Sequence, residues 1–106
     1  MATKLQKATW EAMKLIPKGR VTTYGAIARY LDSKAIRVVA SAVGKNPYAP
    51  TVPCHRVVLS SGKVGNYSGG DGVTTKIALL AKEGVVVSND KIVDFATRFW
   101  EFDTLS

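Results

Sequence analysis

The sequence predicts a mainly α-helical domain with small β elements, built around a winged-helix-like helix-turn-helix. Apolar residues recur at helical spacing in four segments, residues 3–16, 24–31, 34–43 and 73–82. Glycine, proline, asparagine and serine separate these segments, and a tight polar turn joins the second to the third. With 106 residues, 46% of them hydrophobic, the chain fits one domain over residues 1–106 that buries its own core.

The first and last predicted helices are expected to pack against the core. The first ends where Pro17 and Gly19 follow, and the last ends at Gly84. Each has apolar residues on one face. We therefore assign no chemistry to the first helix.

The second and third segments form the predicted helix-turn-helix. Thr22 or Thr23 is expected to cap its first helix, and Ser33 its second helix. Gly44 and the Asn46-Pro47 pair are expected to stop the second helix. The second helix contains small residues that allow a close approach to a groove or to another helix: Ala35, Ala40, Ser41 and Ala42. The pattern alone leaves both interpretations open.

Short β elements and an aromatic segment complete the prediction. Residues 57–59 predict a short strand, and residues 85–93 predict a small hairpin with a polar turn at residues 88–90. Four aromatic residues then occur within eight positions: Phe95, Phe99, Trp100 and Phe102. We interpret them as a hydrophobic cap, with an exposed partner surface as the alternative.

The charge of the chain is concentrated in its first half. Residues 1–56 contain ten lysines and arginines but two acids, whereas residues 57–106 contain five basic residues and six acids. The net charge is +7 and the pI is near 9.8. This distribution is typical of a surface that binds a polyanion such as nucleic acid.

One cysteine and one histidine limit the possible chemistry. A single cysteine excludes an internal disulfide, and with a single histidine it argues against a dedicated structural zinc site. A thiol that must stay reduced favours a cytoplasmic location. The sequence has no apolar run long enough to span a membrane and no pattern of a signal peptide.

The single cysteine and the single histidine are neighbours, within residues 52–58. A cysteine attacks only as the thiolate, so Cys54 needs a base or a positive field, and His55 and Arg56 are candidates for these roles. Because neighbouring side chains on a strand point to opposite faces, the pair requires a turn at Pro53 or a bridging water. The alternative is that Cys54 is a small buried hydrophobic residue and His55 a satisfied histidine.

Four blocks of sequence decide between these interpretations. In order they read GRVTTYGAIARYL, AIRVVASAVGKNP, VPCHRVVLSSGKVGNYSGG and KIALLAKEG. Together they resemble the C-terminal domain of the O6-alkylguanine-DNA alkyltransferases, over about residues 5–84. This resemblance implies a suicide DNA-repair protein that flips a damaged guanine from the minor groove and moves its O6-alkyl group to its own cysteine.

The resemblance assigns five residues to catalysis. Cys54 is the expected nucleophile, His55 deprotonates it through a water, and Glu83 orients His55. Tyr24 donates a proton to the departing guanine. Asn46 braces the turn between the recognition helix and the active-site segment.

Two further groups of residues follow from the resemblance. Arg37 is expected to fill the space left by the flipped nucleotide, with further DNA contacts from Ala35, Ala40, Ser41, Thr23 and Lys45. The base pocket is expected to include Tyr67, Ser68, Gly69, Val52 and Lys76. Residues 48–50 are expected on one side of this pocket, and residues 65–70 form its far wall.

The expected partner is double-stranded DNA that contains O6-alkylguanine, with no cofactor and no metal. The chain is expected to be a monomer that lacks the additional N-terminal domain of many relatives, and cooperativity along DNA remains open. A second candidate function is that of an alkyltransferase-like damage sensor, although such proteins replace the nucleophile that Cys54 provides here. A helix-turn-helix regulator and a cysteine hydrolase are less favoured by the four blocks.

Overall fold

The computed structural model of the chain describes residues 3–47, 51–65, 67 and 72–102. The helices are α1 (Lys4–Met13), α2 (Tyr24–Tyr30), α3 (Ile36–Gly44), α4 (Val73–Lys82) and α5 (Phe95–Arg98). The strands are β1 (Thr22–Thr23), β2 (Val57–Val58), β3 (Val87–Ser88) and β4 (Lys91–Ile92), and a 3₁₀ turn covers Cys54–Arg56. The predicted fold class, mainly helical with small sheets, is confirmed. None of the described helices combines the length and apolar character needed to cross a bilayer.

Helix α1 starts with a capping box and ends earlier than predicted. The Thr3 hydroxyl accepts from the Gln6 N–H, and the Gln6 side chain accepts from the Thr3 N–H. Beyond Met13, residues 14–16 bond to the carbonyl three residues back. The apolar periodicity therefore continues to Ile16, but the last turn before proline is tightened to 3₁₀ geometry.

Helices α2 and α3 form the predicted helix-turn-helix, with two differences at the ends of α3. The Ser33 hydroxyl accepts from the Ala35 N–H at 3.1 Å, so it stabilises the turn and does not cap α3. Gly44 is the last residue of α3, which therefore ends one position beyond the predicted last residue, Val43. Buried Val39, Ala42 and Val43 form the inner face of α3, and the Trp10 indole N–H of α1 donates to the Ala42 carbonyl at 2.8 Å.

Two small sheets hold the ends of the helices. Strand β1 pairs in parallel with β2, with Thr22 opposite Val57, and β3 pairs antiparallel with β4, which confirms the predicted hairpin. The C-terminal segment pairs with Val21, directly before β1, because the Val21 N–H donates to the Arg98 carbonyl and the Trp100 N–H donates to the Val21 carbonyl. These pairings connect the helix-turn-helix, the cysteine segment and the C-terminal end.

The aromatic residues near the C-terminal end close the core. Phe102 is 2% exposed, and its ring lies 4.7 Å from the ring of Tyr30 in a stacked arrangement. Trp100 meets Phe102 edge to face at the same distance. Phe95, Phe99 and Trp100 are half-buried. The cap interpretation is therefore confirmed over the exposed partner surface.

Candidate active site and DNA-facing cleft

The cysteine segment makes two consecutive tight turns. Pro53 has φ −83° and ψ 70°, and the Cys54 N–H donates to the Val52 carbonyl at 2.9 Å, which is an inverse γ-turn. The 3₁₀ turn Cys54–Arg56 follows directly and leads into β2. The turn that the adjacent cysteine and histidine require is therefore present at Pro53.

Glu83 meets His55 at the C-terminal end of α4. The His55 Nε2 atom lies 3.1 Å from Glu83 Oε2, and both side chains are largely buried. The resemblance predicted this contact, and α4 has the bounds that its apolar periodicity predicted. A carboxylate beside unpaired helix carbonyls needs a partner to offset the helix dipole, and here it has two.

The second partner of Glu83 is Arg56, which the sequence suggested as a source of positive charge but not as a site residue. Arg56 Nε donates to Glu83 Oε1 at 2.9 Å, and Nη2 donates to Oε2 at 2.6 Å. Burial opposes ionisation of Glu83, but the hydrogen bonds from Arg56 and His55 outweigh it and lower the pKa of this carboxyl. Glu83 is therefore an anion at neutral pH.

His55 is arranged to be a neutral base. Burial lowers the pKa of its imidazole, and the hydrogen bond and charge of Glu83 offset this only in part. With Glu83 ionised, Nε2 donates to it and Nδ1 carries the free lone pair. Nδ1 is buried and has no hydrogen-bond partner among the described residues. A neutral imidazole in this tautomer is able to accept a proton at Nδ1.

Two tyrosines lie with Cys54 on the wall of an open cleft. Burial raises the pKa of Tyr24, and the nearby Cys54 adds to the shift. Burial, the charge of Cys54 and a hydrogen bond to the Cys54 side chain raise the pKa of Tyr67 to about 12. Both hydroxyls therefore stay protonated at neutral pH and are able to donate hydrogen bonds next to the thiol.

Lys76 was predicted in the base pocket but lies behind the cleft wall. Its side chain is fully buried, and Nζ donates to the Val57 carbonyl at 2.7 Å and the Val64 carbonyl at 2.6 Å. Burial lowers the pKa of this ammonium to about 8, although Cys54 opposes the shift. Lys76 therefore braces the two segments next to the cysteine and is not among the described residues lining the cleft.

Asn46 and Val52 connect the end of the helix-turn-helix to the cysteine segment. Asn46 Nδ2 donates to the Val52 carbonyl at 2.7 Å, which is the bracing contact that the resemblance implies. Val52 was expected in the base pocket, but it packs in the core cluster at 3% exposure and is not among the described residues that line the cleft. Ser68, Gly69 and residues 48–50, all expected at the pocket, lie outside the described residues.

The cleft has a volume of about 760 Å³ and lies between α3 and the segments that follow the cysteine. Its described lining is Tyr24, Ile36, Arg37, Ala40, Val43, Gly44, Cys54, Leu59, Gly65, Tyr67, Val73 and Asp90. Cys54 is only 6% exposed, so a substrate reaches it through the cleft. The apolar members Ile36, Leu59 and Val73 were not predicted, because they come from three separate segments of the chain.

Most of the expected DNA-binding residues lie on the outer side of α3. Arg37 is exposed at the cleft wall, and Ala40 lies beside it. Three more of the set are exposed at the ends or outer face of α3: Ala35, Ser41 and Lys45. Thr23 was also expected to contact DNA, but it is only 5% exposed. Its hydroxyl accepts from the Ala26 N–H and so caps α2.

No group of three or more His, Cys, Asp or Glu side chains that could hold a metal ion occurs among the described residues. The described cleft lining includes the Cys54 thiol, the phenols of Tyr24 and Tyr67, and the charged side chains of Arg37 and Asp90. Directly behind Cys54 in the chain, the His55 imidazole is hydrogen-bonded to the Glu83 carboxylate. This set suits nucleophilic attack by sulfur with proton transfer to and from neighbouring groups.

Comparison with known proteins agrees with this chemistry. The chain is 45% identical over 83 residues to the methylated-DNA–protein-cysteine methyltransferase of Methanosarcina acetivorans, which covers 77% of this chain and 52% of that protein. It is 44% identical over 80 residues to the human protein of the same name, covering 74% of this chain and 38% of that one. The chain thus spans about half or less of the length of these curated relatives.

Solved structures agree as well. Mycobacterium tuberculosis OGT in complex with DNA is similar with a TM-score of 0.72 at 43% identity, over 78% of this chain and 51% of that one. S. pombe Atl1, in complex with damaged DNA containing O6-carboxymethylguanine, has a TM-score of 0.82 at 27% identity, over 95% of this chain and 99% of that one. Residues 4–85 match the family model described as the DNA-binding domain of 6-O-methylguanine DNA methyltransferase. On this match and these relatives, the chain belongs to the 6-O-methylguanine DNA methyltransferase family.

Proposed function

We propose that this protein repairs DNA by moving the alkyl group of O6-alkylguanine onto Cys54 in one irreversible step. The observation that carries the proposal is the position of Cys54 at the wall of the cleft, next to a neutral imidazole held by an ionised carboxylate. Membership of the family and the names of its relatives support it. No cofactor is needed for this transfer.

The reaction requires two proton movements and one displacement. The Cys54 proton passes through a water to Nδ1 of His55, and Glu83 stabilises the imidazolium that forms. The sulfur attacks the alkyl carbon, so that the S–C bond forms as the C–O6 bond breaks. Tyr24 supplies the proton that the departing guanine takes up. The product is a thioether, and the described residues include no second thiol to receive the group.

The outer face of α3 is the proposed DNA-reading surface. Its exposed apolar and basic side chains, Ile36, Arg37 and Val38, suit insertion into the minor groove beside the cleft. Extruding the base costs a few kcal/mol, and a planar guanidinium at Arg37 is able to stack in the gap. A monomer that acts on double-stranded DNA in the cytoplasm is part of the same proposal.

The test is intact-mass measurement after incubation with an excess of a duplex that carries O6-methylguanine. We expect one added methyl group per chain, no further addition with time, and no addition to the Cys54→Ser variant. Methylation of the Cys54→Ser variant, or no methylation of the wild type, would refute the proposal.

A second candidate function is recognition of damaged DNA without transfer. It is favoured by the similarity to S. pombe Atl1, over 99% of that chain, in a complex with damaged DNA. The buried cysteine with its histidine and glutamate argues against it. Selective binding of the methylated duplex with no change in mass would favour this function over transfer.

A further inference from the structure

Arg56 uses three of its donors on two separate parts of the fold. Two donate to the two oxygens of Glu83, at 2.9 and 2.6 Å. The third, Nη1, donates to the Ile16 carbonyl at 2.7 Å, in the last turn before Pro17. Arg56 therefore connects the carboxylate at the end of α4 to the end of the helical run that begins with α1.

The next turn, at residues 17–20, lies close to the backbone of Glu83. Gly19 has φ +85°, and a Cβ atom built there would lie 3.3 Å from the Glu83 carbonyl oxygen. Arg56 thus holds the Glu83 carboxylate, and the Glu83 backbone carbonyl lies beside the turn at residues 17–20. The other hydrogen-bond partner of Glu83 Oε2 is Nε2 of His55, at 3.1 Å.

We propose that Arg56 is a positioning residue of the active site, which acts through Glu83. By holding both carboxylate oxygens, it leaves Glu83 one orientation toward His55 and so selects the tautomer in which Nδ1 accepts the proton of Cys54. This inference rests on the proposed function for its catalytic consequence. Its structural consequence, a change in the protonation of His55, is measurable without DNA.

The charges around His55 define what removal of Arg56 should do. The groups that act on it are Lys76 of α4, Glu83 directly after α4, and Arg56 of its own turn. In Arg56→Met, Glu83 loses the cation that shares its charge, so the His55–Glu83 pair takes up its first proton at a higher pH. Arg56→Lys would keep the charge, but a single ammonium lacks the planar guanidinium that donates to both Glu83 oxygens and to the Ile16 carbonyl.

The first experiment is an NMR titration of the imidazole. His55 is the one histidine of 106 residues, so its ring signals need no further assignment. We expect the His55 pKa to rise in Arg56→Met and to stay near that of the wild type in Arg29→Met. Arg29 is a matched control because it also pairs with a glutamate, Glu101, but on the surface. An unchanged titration in Arg56→Met would overturn the proposal.

The second experiment is a double-mutant cycle on the single-turnover rate of methyl transfer at pH 7. We expect Arg56→Met to slow transfer by at least tenfold, part of the roughly 10²- to 10⁴-fold that a positioned base contributes. Because Arg56 acts through Glu83, adding Arg56→Met to Glu83→Gln should slow transfer no further. Additive losses would overturn the proposal, as would a rate in Arg56→Met within about twofold of the Arg29→Met control.

Folding is controlled in the same cycle. Arg56→Met could fail to fold because it leaves a buried carboxylate without its cation, and Glu83→Gln removes that charge in the double variant. In that case the transfer rate of the double variant is compared with that of Glu83→Gln alone. Equal rates support the proposal, and a slower double variant overturns it. The two proposals can fail separately. If the wild type transfers no methyl group but the His55 pKa still rises in Arg56→Met, the proposed function is refuted and the positioning role is supported.

Discussion

The buried ammonium of Lys76 predicts an unusual alkaline rise in stability. Burial lowers its pKa from 10.5 to about 8 in the folded protein. Between these two values the unfolded chain binds more protons than the folded chain, so the free energy of unfolding increases with pH. Below pH 8 both states are protonated, and the cost of burying the charge is fully present.

The magnitude follows from the shift. A difference of about 2.5 pKa units corresponds to about 3 kcal/mol, with a slope of at most about 1.4 kcal/mol per pH unit. Lys76→Met removes the charge while keeping an unbranched side chain of similar length. We therefore expect wild type to gain stability relative to Lys76→Met as pH rises from 8 to 10.

The assay is urea denaturation of both proteins at pH 7, 8, 9 and 10. Tyr24 and Tyr67, whose raised pKa values act in the opposite direction above pH 10, are common to both proteins and cancel in the difference. A difference in unfolding free energy that stays constant from pH 8 to 10 would show that Lys76 is not buried as an ammonium, and the reasoning would be refuted.

Two further substitutions test single contacts. Thr22 is fully buried and its hydroxyl has no hydrogen-bond partner among the described residues, so Thr22→Val should raise the free energy of unfolding by about 1 kcal/mol. A lower urea midpoint would contradict this. Asn46→Ala leaves the buried Val52 carbonyl without the Asn46 donor and should cost about 1–2 kcal/mol, whereas an unchanged midpoint would show that the bracing contact is not needed.

Local signals predicted most of the elements correctly. Apolar periodicity followed by Gly84 predicted α4 with its observed bounds, and the polar turn between short apolar runs predicted the β3–β4 hairpin. The ends of α3 were less accurate, since a serine or a glycine near a helix end has several local uses. Ser33 stabilises the turn, and Gly44 is the last residue of the helix instead of the first residue beyond it.

The resemblance located the site residues along the chain but not their burial. It assigned Lys76 and Val52 to a pocket and Thr23 to a DNA surface, whereas Lys76 and Val52 are not among the described cleft-lining residues and Thr23 is buried. Sequence position does not report whether a side chain points into a cleft or behind it. That depends on how β1, β2 and α4 pack around the cysteine turn.

The sequence by itself determined which chemical groups are available: one thiol beside one imidazole, a basic first half, and helices whose periodicity and stops are local properties of the chain. Only the tertiary structure decided how these groups act on one another. Glu83 lies 27 residues from Arg56, and Ile16 lies 40 residues from it on the other side. Their convergence depends on packing between distant elements, and no local pattern specifies which buried cation will neutralise which buried acid.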